Sequence, residues 1–246
     1  MAVYDDFAWF YNRYWNKEFH TLAFPILERI WLRRLPPGAS ILDICCGTGY
    51  LAGLLARRGY RVAGIDASAE MIRYARQNVP EGDFRIAEAA SFRAKMKYDA
   101  AVCTFDSLNH LLEASELEAA FRNTAAVLHP GALFAFDMLL DEAYKTHWGE
   151  SFALVREDHV LTITGSGYDS RRRLAFCTIT MFRLIDGSWH RSDVVVEERC
   201  YDCDEIREAL GDAGFRGLVY YSAGDLGMGG QLGEGRIFFV VENAQS

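Results

Sequence analysis

The apolar positions Leu22, Ile26, Leu27, Ile30 and Trp31 recur at helical spacing, and Pro36-Pro37-Gly38 then breaks the chain. From Ala39 onward the pattern alternates between two periods. The apolar run Ile41 to Cys45 leads through Gly47-Thr48-Gly49 into a helical stretch, Tyr50 to Arg58, that stops at Gly59. Arg61 to Asp66 reads as a buried strand, and Ser68 is placed to cap a helix carrying Met71, Ile72 and Ala75. A weaker strand is expected around Phe84-Arg85-Ile86 and a fourth over Tyr98 to Phe105. Ser115 and Glu118 have the spacing of a capping box, opening a helix through Leu117, Phe121, Thr124 and Leu128 that Pro130-Gly131 ends. Ala132 to Phe136 is the fifth strand. Near-continuous apolar strands alternating with helices predict a parallel sheet covered on both faces.

The period changes near Ser151. Phe152 to Gly165, Arg173 to Leu184 and Trp189 to Cys200 read as three strands separated by short turns such as Asp169-Ser170 and Asp186-Gly187, which predicts antiparallel hairpins. Asp202 with Glu205 then caps a helix bearing Ile206, Ala209, Leu210 and Ala213, and Gly214 ends it. Phe215 to Tyr221 and Arg236 to Glu242 are closing strands. The loop between them, Ala223 to Gly235, holds six glycines and reads as a mobile lid or a slack connection.

Composition narrows the function. Half of the 246 residues are hydrophobic and 24% are charged, enough for a sizeable core. No apolar run reaches the roughly 20 residues of a membrane span, and the aromatic, mixed-charge start differs from a signal peptide, so a cytoplasmic location is expected. With 26 basic against 34 acidic residues the net charge is -8, which repels phosphate backbones, so nucleic acid is not an expected partner. Cys200-Tyr201-Asp202-Cys203 is a lone C-x-x-C without a second ligand pair, and no metal site is read from it.

The candidate chemistry lies at the first glycine turn. Gly47-Thr48-Gly49-Tyr50-Leu51-Ala52 fits a dinucleotide-type G-x-G-x-x-G/A pattern, with Asp66 about twenty residues on at the end of the next strand. Asp43, just before the turn, would repel a pyrophosphate and attract a cation. S-adenosylmethionine presents an ammonium and a sulfonium, so the acidic turn favours it over NAD. Asp66 can accept ribose hydroxyls, and Glu88 after the third strand can accept from an adenine amino group.

The run from Ile41 to Met138 resembles the class I S-adenosylmethionine-dependent methyltransferases. Ile41 to Gly49 is similar to their first motif, Gly64-Ile65-Asp66-Ala67-Ser68 with Met71 to their second, and Leu128 to Ala132 with Phe136-Asp137 to their turn into strand 5. The sequence departs at Cys45, where the family's first glycine usually stands. The resemblance implies an α/β fold: a Rossmann-like, doubly wound, mainly parallel seven-stranded sheet with an inserted antiparallel β-sheet after strand 5. It implies a cofactor-binding core over residues 1–137 and 201–246 with an N-terminal helical lid, and a substrate or interaction subdomain over 138–200. It would put Asp43, Cys45, Gly47 and Gly49 at the methionyl part, Asp66 at the ribose, Ala67 and Met71 at the adenine face, and Glu88 with Ala89 at its edge.

A looser resemblance, over Phe7 to Trp15, Phe105 to Leu111 and the layout of the insert, is to small-molecule N-methyltransferases of the glycine or amino-sugar type. It implies a small-molecule acceptor with an amine nitrogen, Phe105 facing the cofactor, and Tyr11 as the N-terminal tyrosine over it, with Tyr4, Tyr14 and Trp15 as further lid residues. His110 and Asn109 are the candidate catalytic residues, His110 as a base and Asn109 as an orienter; Tyr144, His147 and Trp148 are weaker candidates. Asp106 and Asp137 alone do not complete an octahedral metal site, and no metal is expected. A homodimer is an open possibility. The alternatives are a catalytically silent binding or partner subunit of the same fold and an NAD-dependent dehydrogenase.

Overall fold

The computed structural model describes residues 4–245, with the side chain of His147 outside the described set. The chain opens with one helical turn, α1 (Ala8–Phe10), a π-helical stretch (Tyr11–Trp15) and the amphipathic α2 (Asn16–Ile30). The alternating region comes next: β1 (Ser40–Ile44), α3 (Tyr50–Arg57), β2 (Arg61–Asp66), α4 (Ala69–Asn78), β3 (Asp83–Ile86) and β4 (Tyr98–Cys103). It continues with α5 (Ala114–Val127), β5 (Leu128–Leu139) and α6 (Asp141–His147). Four strands form a separate sheet: β6 (Phe152–Val155), β7 (His159–Asp169), β8 (Leu174–Ile185) and β9 (Ser188–Arg199). The chain returns to the first sheet through α7 (Cys203–Asp212), β10 (Phe215–Ser222) and β11 (Arg236–Asn243).

The main sheet has seven strands in the order β10-β11-β5-β4-β1-β2-β3. β1 to β5 are parallel, whereas β11 pairs antiparallel with both β5 and β10. Strand order reverses beside β1, and in such sheets ligands bind at the carboxyl ends of the strands near the reversal. One apolar layer packs α5 and α7 on one face; α2 and α3 cover the other. A third apolar cluster joins Phe7 and Phe10 to Leu161, Ile179, Met181, Val194 and Val196, so the N-terminal segment is clamped between the two sheets. No helix among the described residues is long and apolar enough to cross a membrane.

Several local expectations need correction. The stretch from Phe152 to Gly165 is two strands, because residues 156–158 turn the chain, giving the insert four strands rather than three. Helix α5 starts ahead of Ser115: Glu113 is its N-cap, and its N–H donates to the Glu116 carboxylate at 3.1 Å. Pro130-Gly131 does not precede β5 but lies within it, at an exposed irregular end. The glycine-rich loop is exposed over residues 229–231 but anchored at its ends and at Met228. Ala223 and Met228 are buried, and a Cβ on Gly235 would stand 2.2 Å from the backbone nitrogen of Ala143.

Candidate active site

A single cavity of about 550 Å³ opens at the carboxyl ends of β1, β2 and β4 and runs under the inserted sheet. Its first half is lined by Cys45, Gly47, Asp66, Ala67, Met71, Glu88 and Ala89, with Tyr11 and Phe105 over them. Its second half is lined by His110, Asp106 and Glu198, and by Tyr4, Ile163, Ile179 and Val196. Residues from three distant parts of the chain therefore meet around one space.

The glycine turn is shaped for close approach. Gly47 has φ 52°, and a Cβ there would lie 3.3 Å from the Tyr11 ring. Its N–H donates to Asp66 Oδ2 at 2.9 Å, while Ser68 N–H donates to Asp66 Oδ1 at 2.9 Å. Burial raises the Asp66 carboxyl above its ordinary range, and these two N–H groups oppose the rise. Cys45 also adopts the left-handed region, φ 57°, a strain of about 1–2 kcal/mol for a residue with a Cβ. That is the conformational reason a glycine would be easier at this position.

Asp43 is buried, and its Oδ2 has no hydrogen-bond partner among the described residues. Burial, then the nearby Asp66 charge, push its carboxyl well above the usual range. An unmatched buried acceptor behind a glycine cradle fits a cofactor carrying an ammonium group better than one carrying a pyrophosphate. Asp43 and Gly49 do not themselves line the cavity. Gly49 is the N-cap of α3 and packs against Ala75, where a Cβ would meet the Ala75 backbone at 3.1 Å.

The N-terminal segment is fastened over this turn. Ser68 Oγ donates to Asp5 Oδ1 at 2.6 Å, Asn16 Nδ2 to Thr48 Oγ1 at 2.9 Å, and Asn78 Nδ2 to Asn12 Oδ1 at 2.8 Å. Tyr4, Tyr11 and Trp15 line the cavity. Tyr14 instead turns to the inserted sheet, where its hydroxyl meets His159 Nε2.

After β4 the backbone is strained at two successive residues, Phe105 (φ 66°) and Asp106 (φ 51°). The carboxylate of Asp137 holds them, accepting from Phe105 N–H at 2.7 Å and Asp106 N–H at 3.1 Å. The Phe105 ring stacks on Phe19 at 4.3 Å. Arg236, at the start of β11 and almost fully buried, pairs with Asp137 and, at 2.7 Å, with Asp106 Oδ1. The place between these two acids considered for a metal is thus taken by a guanidinium.

His110 lines the cavity, and its ring is fixed at both nitrogens. Nδ1 lies 3.0 Å from the Glu197 carbonyl, which makes it the protonated nitrogen and leaves Nε2 to accept from Tyr4 Oη at 2.9 Å. Burial lowers its pKa, so the neutral ring is favoured. Glu198 stands beside it, Oε1 3.7 Å from His110 Nε2, with Oε2 accepting from Tyr144 Oη at 2.8 Å. Burial and the Asp106 charge push the Glu198 carboxyl well above the usual range. The ligand atoms of Asp106, His110 and Glu198 lie within 4.8 Å of one another.

Asn109 requires a correction. It is fully buried, donates to the carbonyls of Leu139 (3.0 Å) and Arg199 (2.9 Å), and accepts from Leu139 N–H at 3.0 Å. Its amide is saturated by the backbone of β5 and β9, so it ties the two sheets together rather than facing the cavity. Tyr144 donates its hydroxyl to Glu198, Trp148 lines the cavity, and the His147 side chain lies outside the described residues. The thiols of Cys200 and Cys203 are free. Glu198 and Arg236 carried no motif: one is an acid in an amphipathic strand, the other a lone base opening an apolar strand.

A family model described as a methyltransferase domain matches residues 41–131. A putative methyltransferase, YqeM, of Bacillus subtilis (strain 168) is 28% identical over 190 residues, 74% of this chain and 75% of that protein. A dTDP-3-amino-3,4,6-trideoxy-alpha-D-glucopyranose N,N-dimethyltransferase of Streptomyces venezuelae is 27% identical over 200 residues, 80% of this chain and 83% of that one. Among solved structures, an S-adenosylmethionine-dependent methyltransferase from Clostridium acetobutylicum ATCC 824 superposes with a TM-score of 0.80 over 99% of this chain and 100% of that one. At 20% identity, this last likeness is one of fold.

Proposed function

We propose that the chain is a class I S-adenosylmethionine-dependent methyltransferase and that it methylates a small molecule at an amine nitrogen. The observation that carries the acceptor reading is the continuous cavity, with the cofactor-motif residues at one end and the acids and His110 at the other. The names of two relatives, sugar N,N-dimethyltransferases of Streptomyces fradiae and Streptomyces venezuelae, support nitrogen as the acceptor atom.

When bound, S-adenosylmethionine supplies an electrophilic methyl group on a sulfonium. Gly47 and Cys45 would hold its methionyl part with Asp43 behind them, Asp66 the ribose hydroxyls, Ala67 and Met71 the adenine face, and Glu88 with Ala89 the adenine edge. Tyr11 and Phe105 would shield it from water. Holding the acceptor lone pair close and in line supplies most of the rate. The attacking nitrogen must be unprotonated, and the neutral His110, with Nε2 directed to Tyr4, provides a path for the proton.

Transfer of tritiated methyl to a panel of amines, phenols, carboxylates and RNA tests the reading. Label is expected in amines, and label confined to phenols or RNA would overturn it. His110→Ala is expected to lower kcat by about 100-fold with S-adenosylhomocysteine affinity unchanged.

A further inference from the structure

The charges around the cavity are one-sided. Asp66, Glu88, Asp106, Glu116, Glu150 and Glu198 line it, and no lysine or arginine does among the described residues. Asp66 and Glu88 belong to the cofactor end. Beyond the cofactor, the acids that matter are Glu198, 3% exposed, and Asp106, 9% exposed. Arg236 is the buried cation beside them, and it already faces two carboxylates, Asp106 and Asp137. With Glu198, three buried acids share one guanidinium, and that guanidinium does not line the cavity. A cationic ligand would complete this arrangement; an anionic one would add to its excess.

The remaining wall is apolar. Ile163, Cys177, Ile179 and Val196 descend from β7, β8 and β9, and Tyr4 and Trp148 supply aromatic surface, which suits both a hydrocarbon body and a cation. Phosphate recognition ordinarily uses arginine forks, lysines or a helix N-terminus, and the acceptor half offers neither of the two side chains.

Resting on the methyltransferase reading above, we infer that the acceptor is an unphosphorylated, singly charged amine with an apolar body. It docks with its ammonium at Glu198 and Asp106, and a nucleotide-linked amino sugar is not accepted. The ammonium proton passes through the Tyr4 hydroxyl to Nε2 of the neutral His110, giving the imidazolium and the free amine. The amine lone pair then forms the N–CH₃ bond as the S–CH₃ bond breaks, the bonding pair stays on sulfur, and the product leaves as a methylated ammonium.

The test uses the full chain saturated with S-adenosylhomocysteine and titrated calorimetrically with 2-phenylethylamine, 2-phenylethanol, phenylacetate and a dTDP-linked amino sugar. The amine is expected to bind at least tenfold more tightly than each of the other three. Glu198→Gln keeps an oxygen for the Tyr144 hydroxyl; it is expected to weaken the amine at least tenfold while S-adenosylhomocysteine binding stays within twofold. The ligand comparison needs no variant and so stands if Glu198→Gln misfolds. Binding of phenylacetate or the dTDP-sugar as tight as the amine, no binding of the amine, or an unchanged amine affinity in Glu198→Gln would each overturn the inference. Failure of the parent to bind S-adenosylhomocysteine would instead count against the methyltransferase reading itself.

Discussion

His20 shows what a single buried side chain does here. It lies in α2 with Nδ1 donating to the Asn16 carbonyl at 2.6 Å and Nε2 3.3 Å from Thr104 Oγ1, at the end of β4. Burial lowers its pKa to about 4, with the Asn16 bond opposing and Arg236 adding to the fall. The unfolded chain, with an ordinary histidine near 6.5, binds the proton more readily, so this residue's contribution to stability is present above pH 6.5 and lost as pH falls towards 4. Buried carboxyls with raised pKa values, such as Asp43, act in the opposite sense, so the effect must be isolated by difference. Between pH 7.5 and 4.5, the unfolding free energy of the parent relative to His20→Gln is expected to fall by about 2–3 kcal/mol. Urea unfolding of both proteins at the two pH values measures it; a pH-independent difference would mean that His20 stays ordinary in the fold.

At the scale of elements, Arg236 joins four pieces of chain. Its Nε donates to the Leu232 carbonyl at 2.6 Å, its other nitrogens reach Asp137 on β5 and Asp106 after β4, and its guanidinium lies 4.7 Å from the centre of the Phe19 ring on α2. Removing it strands two buried carboxylates beside the strained Phe105-Asp106 turn. Arg236→Ala is therefore expected to destabilise the fold by about 3–5 kcal/mol, read from denaturant midpoints with unchanged slope. A loss below about 1 kcal/mol would show that the acids find other partners. The alternation that revealed β1 to β5 is local, because β1, β4 and β5 are near-continuously buried and each helix has its own start and stop. Asp66, Gly47 and Tyr11 were legible for the same reason, since motif and position coincide. Arg236 and Glu198 were not, because their partners lie 99 residues away at Asp137 and 54 away at Tyr144, and only tertiary pairing gives them meaning. Asn109 misled in the other direction: a polar residue after β4 looked like chemistry and serves as a backbone tie.

For the molecule as a whole, the cavity exists only because the two sheets and the N-terminal segment close on it, from Tyr4 through Asp66 to Glu198. The unfolded chain cannot assemble such a site, so a ligand that fills it stabilises the fold by mass action. At 100 times its dissociation constant, S-adenosylhomocysteine is expected to add about 2.7 kcal/mol. For a chain of this length that corresponds to a rise in Tm of roughly 5–10 °C. Asp66 is the decisive control, because its carboxylate both holds the Gly47 and Ser68 N–H groups and would accept the ribose hydroxyls. Losing such charge-assisted bonds weakens binding by about 2 kcal/mol, roughly 30-fold. At the same ligand concentration Asp66→Ala is then only about threefold above its new dissociation constant, and its stabilisation drops below about 1 kcal/mol. Thermal unfolding of both proteins with and without S-adenosylhomocysteine reads the difference directly. Equal shifts in the two proteins would remove Asp66 from the cofactor site, and no shift in the parent would remove the cofactor from the cavity.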